Sequence, residues 1–424
     1  MDVIQTYLDY NKETESPYIY HRWCAITSIG SLLARNVHMP FGNARIFPNL
    51  YIMLLGDAGA RKSSAIKAAK KLITAAGYTS IAANKTRIEK FLLDLEGLTQ
   101  DEGQQKEDVQ VLYDQTMSAN LWGINNDFTE PRESFIMADE WSVFAGTGNL
   151  DMYDVLGDMW DWDEPNIPFK HRLKNSKSVN IFQPTINILG GSNLTNFIRA
   201  FPPETLEHGI LSRMILIGGE RSERKYTIPP KPPEEMTESL VGAFRNIREF
   251  HGVYTISPAA FKILDTLYNS WIEVNDTRFR SYNNRRYTQL LKLCIIHAAS
   301  VFSLEISEEI VVTANTVLSA AEAGMPKALG EFGKSRNSDI ANKIMDFLYA
   351  ATKAVSIKEI WAVVHQDLEK AQTLQEIIQS LILAEKVQHI KDMGYLPKMK
   401  VQSKKQFVDW SLLTVEERKF VSHE

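Results

Sequence analysis

The sequence has little cysteine, no long apolar run and no large charge excess. Its two cysteines, Cys24 and Cys294, are too few for a disulfide framework and lack the spacing of a metal site. No apolar run reaches the roughly 18 residues that a membrane-spanning helix needs, and Met1-Asp2 does not begin like a signal peptide. These absences predict a cytoplasmic protein with no membrane partner.

The overall charge also limits the classes of partner. A formal net charge of −5 argues against a protein that binds nucleic acid over its whole surface. Any such contact must therefore come from a local basic patch. Hydrophobic residues make up 44% of the 424 residues and charged residues 23%, which is ordinary for a globular protein. A chain of this length predicts about two or three domains.

The segment 51–64 has the order of elements that builds a phosphate-binding loop. Tyr51–Leu55 is apolar enough for a buried strand, Gly56 ends it, and 64–75 has a helical pattern. A strand, a glycine-containing loop, a Lys-Ser pair and a helix are typical of loops whose backbone N–H groups face a phosphate. A plain strand–turn–helix is the alternative. The residues predicted to contact the nucleotide are Gly56, Asp57, Ala58, Gly59, Ala60, Arg61, Lys62, Ser63 and Ser64.

Two residues of this loop have specific predicted roles, and one is unusual. Lys62 would reach the β- and γ-phosphates, and the Ser63 hydroxyl would bind Mg²⁺. The predicted cofactors are therefore ATP and Mg²⁺. Arg61 departs from the pattern G-x-x-x-x-G-K-[ST], because it stands where the second glycine is expected. Its side chain can be tolerated there if it points outward.

A second apolar run, 134–138, ends in two acidic residues, Asp139 and Glu140. Acidic side chains at the carboxyl end of a buried strand, downstream of a phosphate loop, favour a catalytic role. Asp139 would hold the Mg²⁺ shell through water, and Glu140 would polarise the attacking water. An exposed turn after a strand is the alternative for this pair.

Two further polar residues stand at the ends of later apolar runs. The run 185–189 leads to Asn193, whose amide is expected to contact the γ-phosphate or to orient the water. A turn-forming asparagine is the alternative. Arg213 precedes the run 214–217 and suits an arginine finger that is offered to the nucleotide of a neighbouring subunit. A surface salt bridge is the alternative for Arg213.

The most basic run in the first half of the chain lies at 169–177. The alternating Val179 and Ile181 that follow predict a β-hairpin with a basic tip. Lys174 and Lys177 at this tip would contact DNA. A solvated turn is the alternative.

The remaining patterns divide the chain into domains. A proline-rich linker at 229–233 separates the mixed first half from a mostly helical region. Three helices followed by a basic hairpin predict a winged helix, which binds either DNA or protein. The predicted domains are a helical N-terminal collar at 1–47, an ATPase core at 48–228, a helical lid at 235–330, a winged-helix domain at 338–405 and a C-terminal tail at 406–424.

The order of these motifs resembles that of the AAA+ P-loop ATPases in which a hairpin precedes the strand-end asparagine. The similarity is greatest to minichromosome-maintenance-type and superfamily 3 helicases, and to helicase-like proteins of phages and integrated elements. It covers about 45–330 well and 338–400 loosely. GDAGARKS at 56–63 is similar to a phosphate loop of that group that also lacks the second glycine. LSRMILIG at 211–218 resembles its finger motif, and RRYTQLLKLCIIHAAS at 285–300 resembles its lid helix.

The resemblance implies an α/β protein with an AAA+ core, a helical collar, a helical lid and a C-terminal winged helix. It implies an ATP-hydrolysing DNA helicase or translocase in the DNA replication of a phage or mobile element, in the bacterial or phage-infected host cytosol. The expected assembly is a hexameric ring with ATP between subunits. Expected partners are single-stranded or forked DNA, further copies of the chain, and a primase or other replication proteins.

The resemblance also assigns roles to single residues. Asn193 would be the first sensor, Arg213 the finger in trans, and Arg286, with Arg285 as second choice, the second sensor that binds the nucleotide. Lys174 and Lys177 would track DNA in a central pore. The N-terminal oligonucleotide-binding fold and zinc site of the cellular minichromosome-maintenance proteins are missing from the sequence.

Two other functions remain open from the sequence. The first is an ATP-controlled replication initiator or helicase loader that binds DNA without unwinding it. The second is a nucleotide-independent DNA-binding or scaffold protein with a decayed site. The intact residues Lys62, Ser63, Asp139 and Glu140 argue against the second.

Overall fold

The chain folds into two units, which a computed structural model describes separately. Unit 1 comprises 1–330 and 407–424, and unit 2 comprises 331–406. The structure describes residues 1–97, 130–172, 178–202, 205, 209–270, 274, 276–330, 336–351, 353–368, 370–383, 386–390, 394–398, 407–419 and 421.

Helices and parallel strands alternate through unit 1, which confirms the predicted α/β class. The strands are β1 (Val37–Phe41), β2 (Ala44–Ile46), β3 (Tyr51–Leu55), β4 (Glu133–Ala138), β5 (Phe169–Arg172), β6 (Ser178–Ile181), β7 (Thr185–Ser192), β8 (Met214–Gly218), β9 (Gly252–Val253), β10 (Thr255–Ile256) and β11 (Glu305–Ile306), with β12 (Val387–Ile390) and β13 (Gly394–Pro397) in unit 2.

The described helices of unit 1 are α1 (Val3–Tyr10), α2 (Tyr18–Leu33), α3 (Lys62–Ala75), α4 (Ile88–Glu96), α5 (Trp141–Ala145), α6 (Leu150–Trp160), α7 (Leu194–Ala200), α8 (Gly209–Ser212), α9 (Glu234–Glu249), α10 (Pro258–Ser270), α11 (Arg280–Asn283), α12 (Arg286–Ser300), α13 (Glu308–Leu329) and, near the carboxyl end, α17 (Val415–Arg418). Those of unit 2 are α14 (Arg336–Ala350), α15 (Ile357–Val364) and α16 (Ala371–Leu383). Among the described helices, none is both long enough and apolar enough to cross a bilayer.

The central sheet is parallel and has the strand order β4-β7-β3-β8. Every residue of β3 and β7 is buried, as expected for strands that helices cover on both faces. In the register, Leu55 lies opposite Ser192 and Gly218, and Ala138 lies opposite Gly190. The carboxyl ends of β3, β4 and β7 therefore meet at one edge of the sheet, which is where open α/β sheets bind ligands.

The predicted helical collar at 1–47 differs from the structure in two ways. First, α2 is buried over almost its whole length and packs on the central sheet, so it belongs to the core of unit 1. Second, 37–46 is not helical, because β1 and β2 pair as an antiparallel hairpin. The turn of this hairpin contains Gly42 at φ +61°, a conformation that glycine adopts without strain.

The predicted helical lid at 235–330 does consist largely of helices, α9 to α13, and belongs to unit 1. It is tied to the rest of that unit through α13, which packs on β8, and through β9, which pairs with β1. The segment 407–419 also belongs to unit 1. Arg22 on α2 pairs with Glu417 on α17 at 2.6 Å, and both side chains are buried.

Unit 2 contains the predicted order of three helices and a hairpin. Strands β12 and β13 are antiparallel, and Val355 bridges to Tyr395. Helix α15 begins with a capping box formed by Ser356 and Glu359. The core of unit 2 contains the buried apolar residues Ile340, Ile344, Leu348, Val355, Ile360, Val364, Leu374, Ile377, Ile378, Leu381 and Val387.

Candidate nucleotide-binding site

The loop between β3 and α3 has a backbone that demands glycine at its first position. A Cβ on Gly56 would lie 2.4 Å from the Tyr20 hydroxyl oxygen and 2.7 Å from the Gly219 carbonyl oxygen. The Tyr20 hydroxyl lies within hydrogen-bonding distance of the carbonyl oxygens of Leu55, at 2.7 Å, and Gly219, at 2.9 Å. Strand β3 is thereby held at the point where it enters the loop.

Arg61 adopts the left-handed conformation, with φ 61° and ψ 25°. This explains why the pattern expects glycine here, because a residue with a Cβ pays about 1–2 kcal/mol for that conformation. The guanidinium points outward, is about half exposed, and pairs with Glu15 at 2.5 Å. The Ser16 hydroxyl donates to the Arg61 carbonyl oxygen at 2.9 Å. The N-terminal segment therefore holds the loop in its strained form.

The Lys62 ammonium packs against the backbone of the loop. The side chain of Lys62 is largely buried, and its ammonium donates to the carbonyl oxygens of Gly56 at 2.7 Å and Asp57 at 3.0 Å. Burial lowers the pKa of Lys62, while the nearby carboxylates of Glu140 and Asp57 oppose that shift. The ammonium is thus a partly desolvated cation, which binds an anion more strongly than a cation in water does.

The first turn of α3 suits a phosphate. No side chain caps this helix, and its first turn contains no acidic residue. The N–H groups at this end of the helix therefore lack a side-chain acceptor, and the helix dipole adds a partial positive charge. Ser63 and Ser64 lie in this turn, directly after the Lys62 ammonium. A phosphate held here would meet Lys62 and the helix end together.

The acidic pair lies at the same edge of the sheet. Asp139 and Glu140 directly follow β4, and the Asp139 carboxylate lies 3.1 Å from the ammonium of Lys67 on α3. Glu140 accepts hydrogen bonds from the hydroxyls of Ser192 at 3.0 Å and Ser142 at 3.3 Å. The base predicted from the sequence is therefore positioned by a serine at the end of the neighbouring strand.

The residues at the end of β7 allow this close approach. A Cβ on Gly191 would lie 2.7 Å from the Asp139 carbonyl oxygen, so a larger residue would push β4 and β7 apart. Ser192 follows and is fully buried. Asn193 is the N-cap of α7, and its side-chain Oδ1 accepts the Asn196 backbone N–H at 2.8 Å. With Oδ1 engaged in the cap, the side-chain NH₂ of Asn193 is the group that would donate to a phosphate.

The protein groups at this edge can supply only part of the coordination shell of a magnesium ion. Among the residues that the structure describes, no group of three or more His, Cys, Asp or Glu side chains is placed to hold a metal. Ser63 and Lys67 are four residues apart on α3 and so lie on the same face, and Lys67 contacts Asp139. The face of α3 that carries Ser63 therefore also contacts Asp139, and a Mg²⁺ held by these two residues would complete its shell with water and phosphate oxygens.

Arg213 lies at the opposite edge of the sheet. It directly precedes β8, and Met214 lies opposite Tyr51, the first residue of β3. The five residues of β3 span about 15 Å, so the Arg213 guanidinium is far from the loop of its own chain. It donates to the Gly209 carbonyl oxygen at 2.9 Å and lies 3.7 Å from the Asp161 carboxylate.

The two adjacent arginines at the start of α12 have different surroundings. Arg286 is buried between α12 and α13, where it pairs with Glu322 at 2.9 Å. Arg285 is partly exposed, donates to the Ser212 hydroxyl at 3.0 Å and pairs with Asp161 at 2.8 Å. Of the two sensor candidates, Arg285 therefore lies beside Asp161 and Arg213 with part of its side chain exposed, whereas Arg286 is buried.

We call the two regions the loop edge and the arginine edge. The loop edge is the carboxyl edge of the sheet, formed by the loop 56–61 with Lys62, Ser63, Asp139, Glu140, Ser192 and Asn193. The arginine edge is the amino edge, formed by Asp161, Arg213 and Arg285.

The basic hairpin is also present, as β5 and β6 pair antiparallel with Arg172 opposite Ser178. Lys170 and Arg172 are exposed on it. The two lysines that were predicted to contact DNA, Lys174 and Lys177, lie outside the described residues.

No model of a known protein family matches this chain, and a search of curated proteins finds no significant relative.

Proposed function

We propose that this chain is an ATP hydrolase with an AAA+-type core, that its active site forms between two copies in a ring, and that it acts as a DNA helicase or translocase. The observation that carries the proposal is the meeting of Lys62, Asp139, Glu140 and Ser192 at one sheet edge. A phosphate seat, a carboxylate suited to Mg²⁺ and a positioned base are the parts that phosphoryl transfer to water requires.

Charge placement would supply most of the rate acceleration. The Lys62 ammonium and the first turn of α3 would stabilise the charge that develops on the phosphate oxygens. Mg²⁺, when bound through Ser63 and the water shell of Asp139, would neutralise further charge on the β- and γ-phosphates. The Asn193 NH₂ would donate to the γ-phosphate, in keeping with its predicted sensor role.

Glu140 would activate the water. Its carboxylate lies directly after β4 and is oriented by the Ser192 hydroxyl, so it can accept a hydrogen bond from a water beside the γ-phosphate. Ser192 would be a positioning residue, because it acts on the carboxylate and does not touch the substrate. A water held in this way reacts faster since its orientation is fixed before the reaction.

The loop 56–61 contains one arginine, Arg61, and its guanidinium is held by Glu15. A charge-neutralising arginine would therefore come from a second copy, whose arginine edge carries Arg213 and Arg285. A head-to-tail contact of this kind, loop edge against arginine edge, closes into a ring when the rotation between copies allows it. A hexamer is the proposed ring.

The DNA-binding part of the proposal rests on the sequence resemblance and on two structural elements. The β5–β6 hairpin carries the exposed cations Lys170 and Arg172, and it would line the central pore. Unit 2, with three helices and an antiparallel hairpin, would be a winged helix. An initiator or loader would use the same elements to bind duplex DNA while ATP controls assembly.

A forked-duplex assay tests the proposal. The wild-type chain with ATP and Mg²⁺ is expected to separate a forked DNA duplex, and Lys62→Ala is expected to lose both unwinding and ATP hydrolysis. Lys71→Ala is the matched control, because Lys71 is exposed on the same helix. ATP hydrolysis without unwinding, together with tight duplex binding, would favour the initiator or loader. If Lys62→Ala hydrolyses ATP as fast as Lys71→Ala, the ATPase proposal is contradicted.

A further inference from the structure

Asp161 stands where a helix disfavours an acidic residue. It directly follows Trp160, the last residue of α6, so its negative charge lies at the negative end of the helix dipole. Its side chain is 44% exposed and contacts Arg285 at 2.8 Å and Arg213 at 3.7 Å. Local helix preference does not explain an aspartate here, whereas the two arginines do.

The surroundings of Asp161 contain more positive than negative charge. Two guanidinium groups lie near the face of the Trp160 ring, that of Arg285 at 5.7 Å from the ring centroid and that of Arg213 at 6.0 Å, and Lys292 Nζ lies 4.4 Å from the same centroid. Burial lowers the pKa of Arg213, and the charge of Arg285 lowers it further. Asp161 is the only carboxylate within ion-pair distance of Arg213 and Arg285 among the described residues, and the charge of Asp158 also acts on Arg213.

The Arg213 guanidinium also has unused hydrogen-bonding capacity. Its Nε is buried and has no hydrogen-bond partner within the described structure. When two guanidinium groups share a single carboxylate, some of their N–H donors have no acceptor. Phosphate oxygens match the geometry of guanidinium donors well. This place in the fold is therefore suited to an anion with more charge and more oxygens than one carboxylate has.

We propose that Asp161 is an internal competitor for the two arginines: it holds Arg213 and Arg285 in the separate subunit and yields them to the triphosphate of a neighbouring copy. Asp161 would thereby set the ATP concentration at which copies assemble. This inference rests on the proposed function, because it assumes that the arginine edge meets a nucleotide held at the loop edge of the next subunit.

The size of the effect follows from the exposure of the ion pairs. A partly exposed pair is worth roughly 0.2–1 kcal/mol, and Asp161 makes two contacts of which one is long. Removing its charge should therefore lower the nucleotide concentration needed for assembly by about two- to fivefold. A purely structural Asp161 would change the thermal stability of the chain without moving that concentration.

The test is a titration of the full-length chain with a slowly hydrolysed ATP analogue and Mg²⁺, in which assembly is followed by sedimentation velocity. Asp161→Asn and, as a second neutral variant, Asp161→Ser are compared with the wild type. Asp151→Asn is the matched control, because Asp151 is exposed in the first turn of the same helix and makes no ion pair with either arginine. Both Asp161 variants should assemble at a lower analogue concentration, and the control should follow the wild type.

The outcomes separate the two proposals. If the wild type assembles with the analogue but the midpoints of both Asp161 variants equal or exceed it, the role of Asp161 is overturned while the shared site stands. If the wild type does not assemble with the analogue at any concentration, the shared site itself is contradicted. If one Asp161 variant is unfolded by circular dichroism, the other variant decides.

Discussion

The loop edge of the central sheet carries Lys62, Asp139 and Glu140, whereas the arginine edge carries Arg213 and Arg285 at the other end of the same strands. At the loop edge, an ammonium and a helix end face acidic groups, which together suit a magnesium-bound phosphate. At the arginine edge, two guanidinium groups share one carboxylate, that of Asp161. The loop edge therefore carries the groups suited to Mg²⁺ and phosphate, and the arginine edge carries two guanidinium groups.

This difference shows why one copy of the chain is not expected to be a complete catalyst. The two edges are separated by the length of β3, about 15 Å, so neither can supply the other within one subunit. A second copy removes this separation if its arginine edge contacts the loop edge of the first. The predictions that follow test whether the two edges divide the work in this way.

The largest effect is expected from neutralising the base at the loop edge. Glu140→Gln should reduce ATP turnover by about 10²- to 10⁴-fold, because glutamine cannot accept a proton from water. ATP binding should stay near the wild-type level, since the glutamine oxygen can still accept the Ser192 hydroxyl. Phosphate release and binding of a fluorescent nucleotide measure the two quantities. Turnover within threefold of the wild type would remove Glu140 from the chemistry.

The second prediction concerns pH and a buried lysine beside the arginine edge. Lys292 is buried beside Trp160, and burial lowers its pKa to about 7. Between pH 7 and the usual lysine pKa of about 10.5, the unfolded chain binds this proton and the folded chain does not. The free energy of unfolding should therefore rise with pH in that window, by at most about 1.4 kcal/mol per pH unit, and Lys292→Met should flatten the rise.

Urea unfolding between pH 7 and pH 9 measures this slope. His21→Phe is the control, because burial lowers the pKa of His21 to about 3 and its effect on stability lies between pH 3 and its usual pKa of about 6.5. His21→Phe should therefore keep the wild-type slope above pH 7. An equal slope in the wild type and in Lys292→Met would show that Lys292 stays protonated in the folded chain.

A smaller effect is expected from the residue that positions the base. Ser192→Ala should reduce turnover by about three- to tenfold with little change in KM for ATP, because it removes one hydrogen bond from the Glu140 carboxylate. Ser142→Ala is the matched control, since its hydroxyl is farther from the same oxygen, at 3.3 Å. Equal effects of the two substitutions, measured by steady-state phosphate release, would argue against a specific role for Ser192.

The smallest effect concerns the only arginine of the loop. Arg61→Gly and Arg61→Ala both remove the ion pair with Glu15, but only glycine relieves the left-handed backbone. The glycine variant should be more stable to urea than the alanine variant by about 1 kcal/mol. Both should keep turnover within about threefold of the wild type, because Arg61 is not expected to contact the nucleotide with its side chain. If the glycine variant is the less stable of the two, the claim that the left-handed backbone at residue 61 is strained is contradicted.

The parts of the site that the sequence predicted are those encoded by local order. The loop, Lys62 and the pair Asp139-Glu140 each follow an apolar run that becomes a strand of the sheet. Because parallel strands end at one edge, placing them on strands was enough to bring them together. The three-helix and hairpin order of unit 2 was predictable for the same local reason.

The contacts that sequence reasoning missed connect residues far apart in the chain. Glu15 reaches Arg61, Ser192 reaches Glu140, and Glu417 near the carboxyl end reaches Arg22 on α2. No local pattern encodes such pairs. A serine directly before the strand-end asparagine was a signal for Ser192, since the last residues of β7 lie at the same edge of the sheet as the end of β4.

The choice between Arg285 and Arg286 shows another limit. The two residues are adjacent at the start of α12, so their side chains point in directions about 100° apart on the helix. Which one is buried depends on where α13 packs, and the partners of Arg286 on that helix, Asn315 and Glu322, lie about 30 residues or more away. The sequence pattern favoured Arg286, whereas packing leaves Arg285 at the arginine edge.

Mixing two inactive variants tests the central claim, that one active site takes residues from two copies. Lys62→Ala impairs the loop edge and Arg213→Ala impairs the arginine edge, so each protein alone should hydrolyse ATP at about 1% of the wild-type rate or less. In an equal mixture, Arg213→Ala supplies intact loops and Lys62→Ala supplies intact arginines. Turnover should then recover to at most about one quarter of the wild-type rate, the fraction of interfaces in which intact halves meet at random. A mixture no more active than its parts, although the two variants are shown to co-assemble, would contradict the shared site.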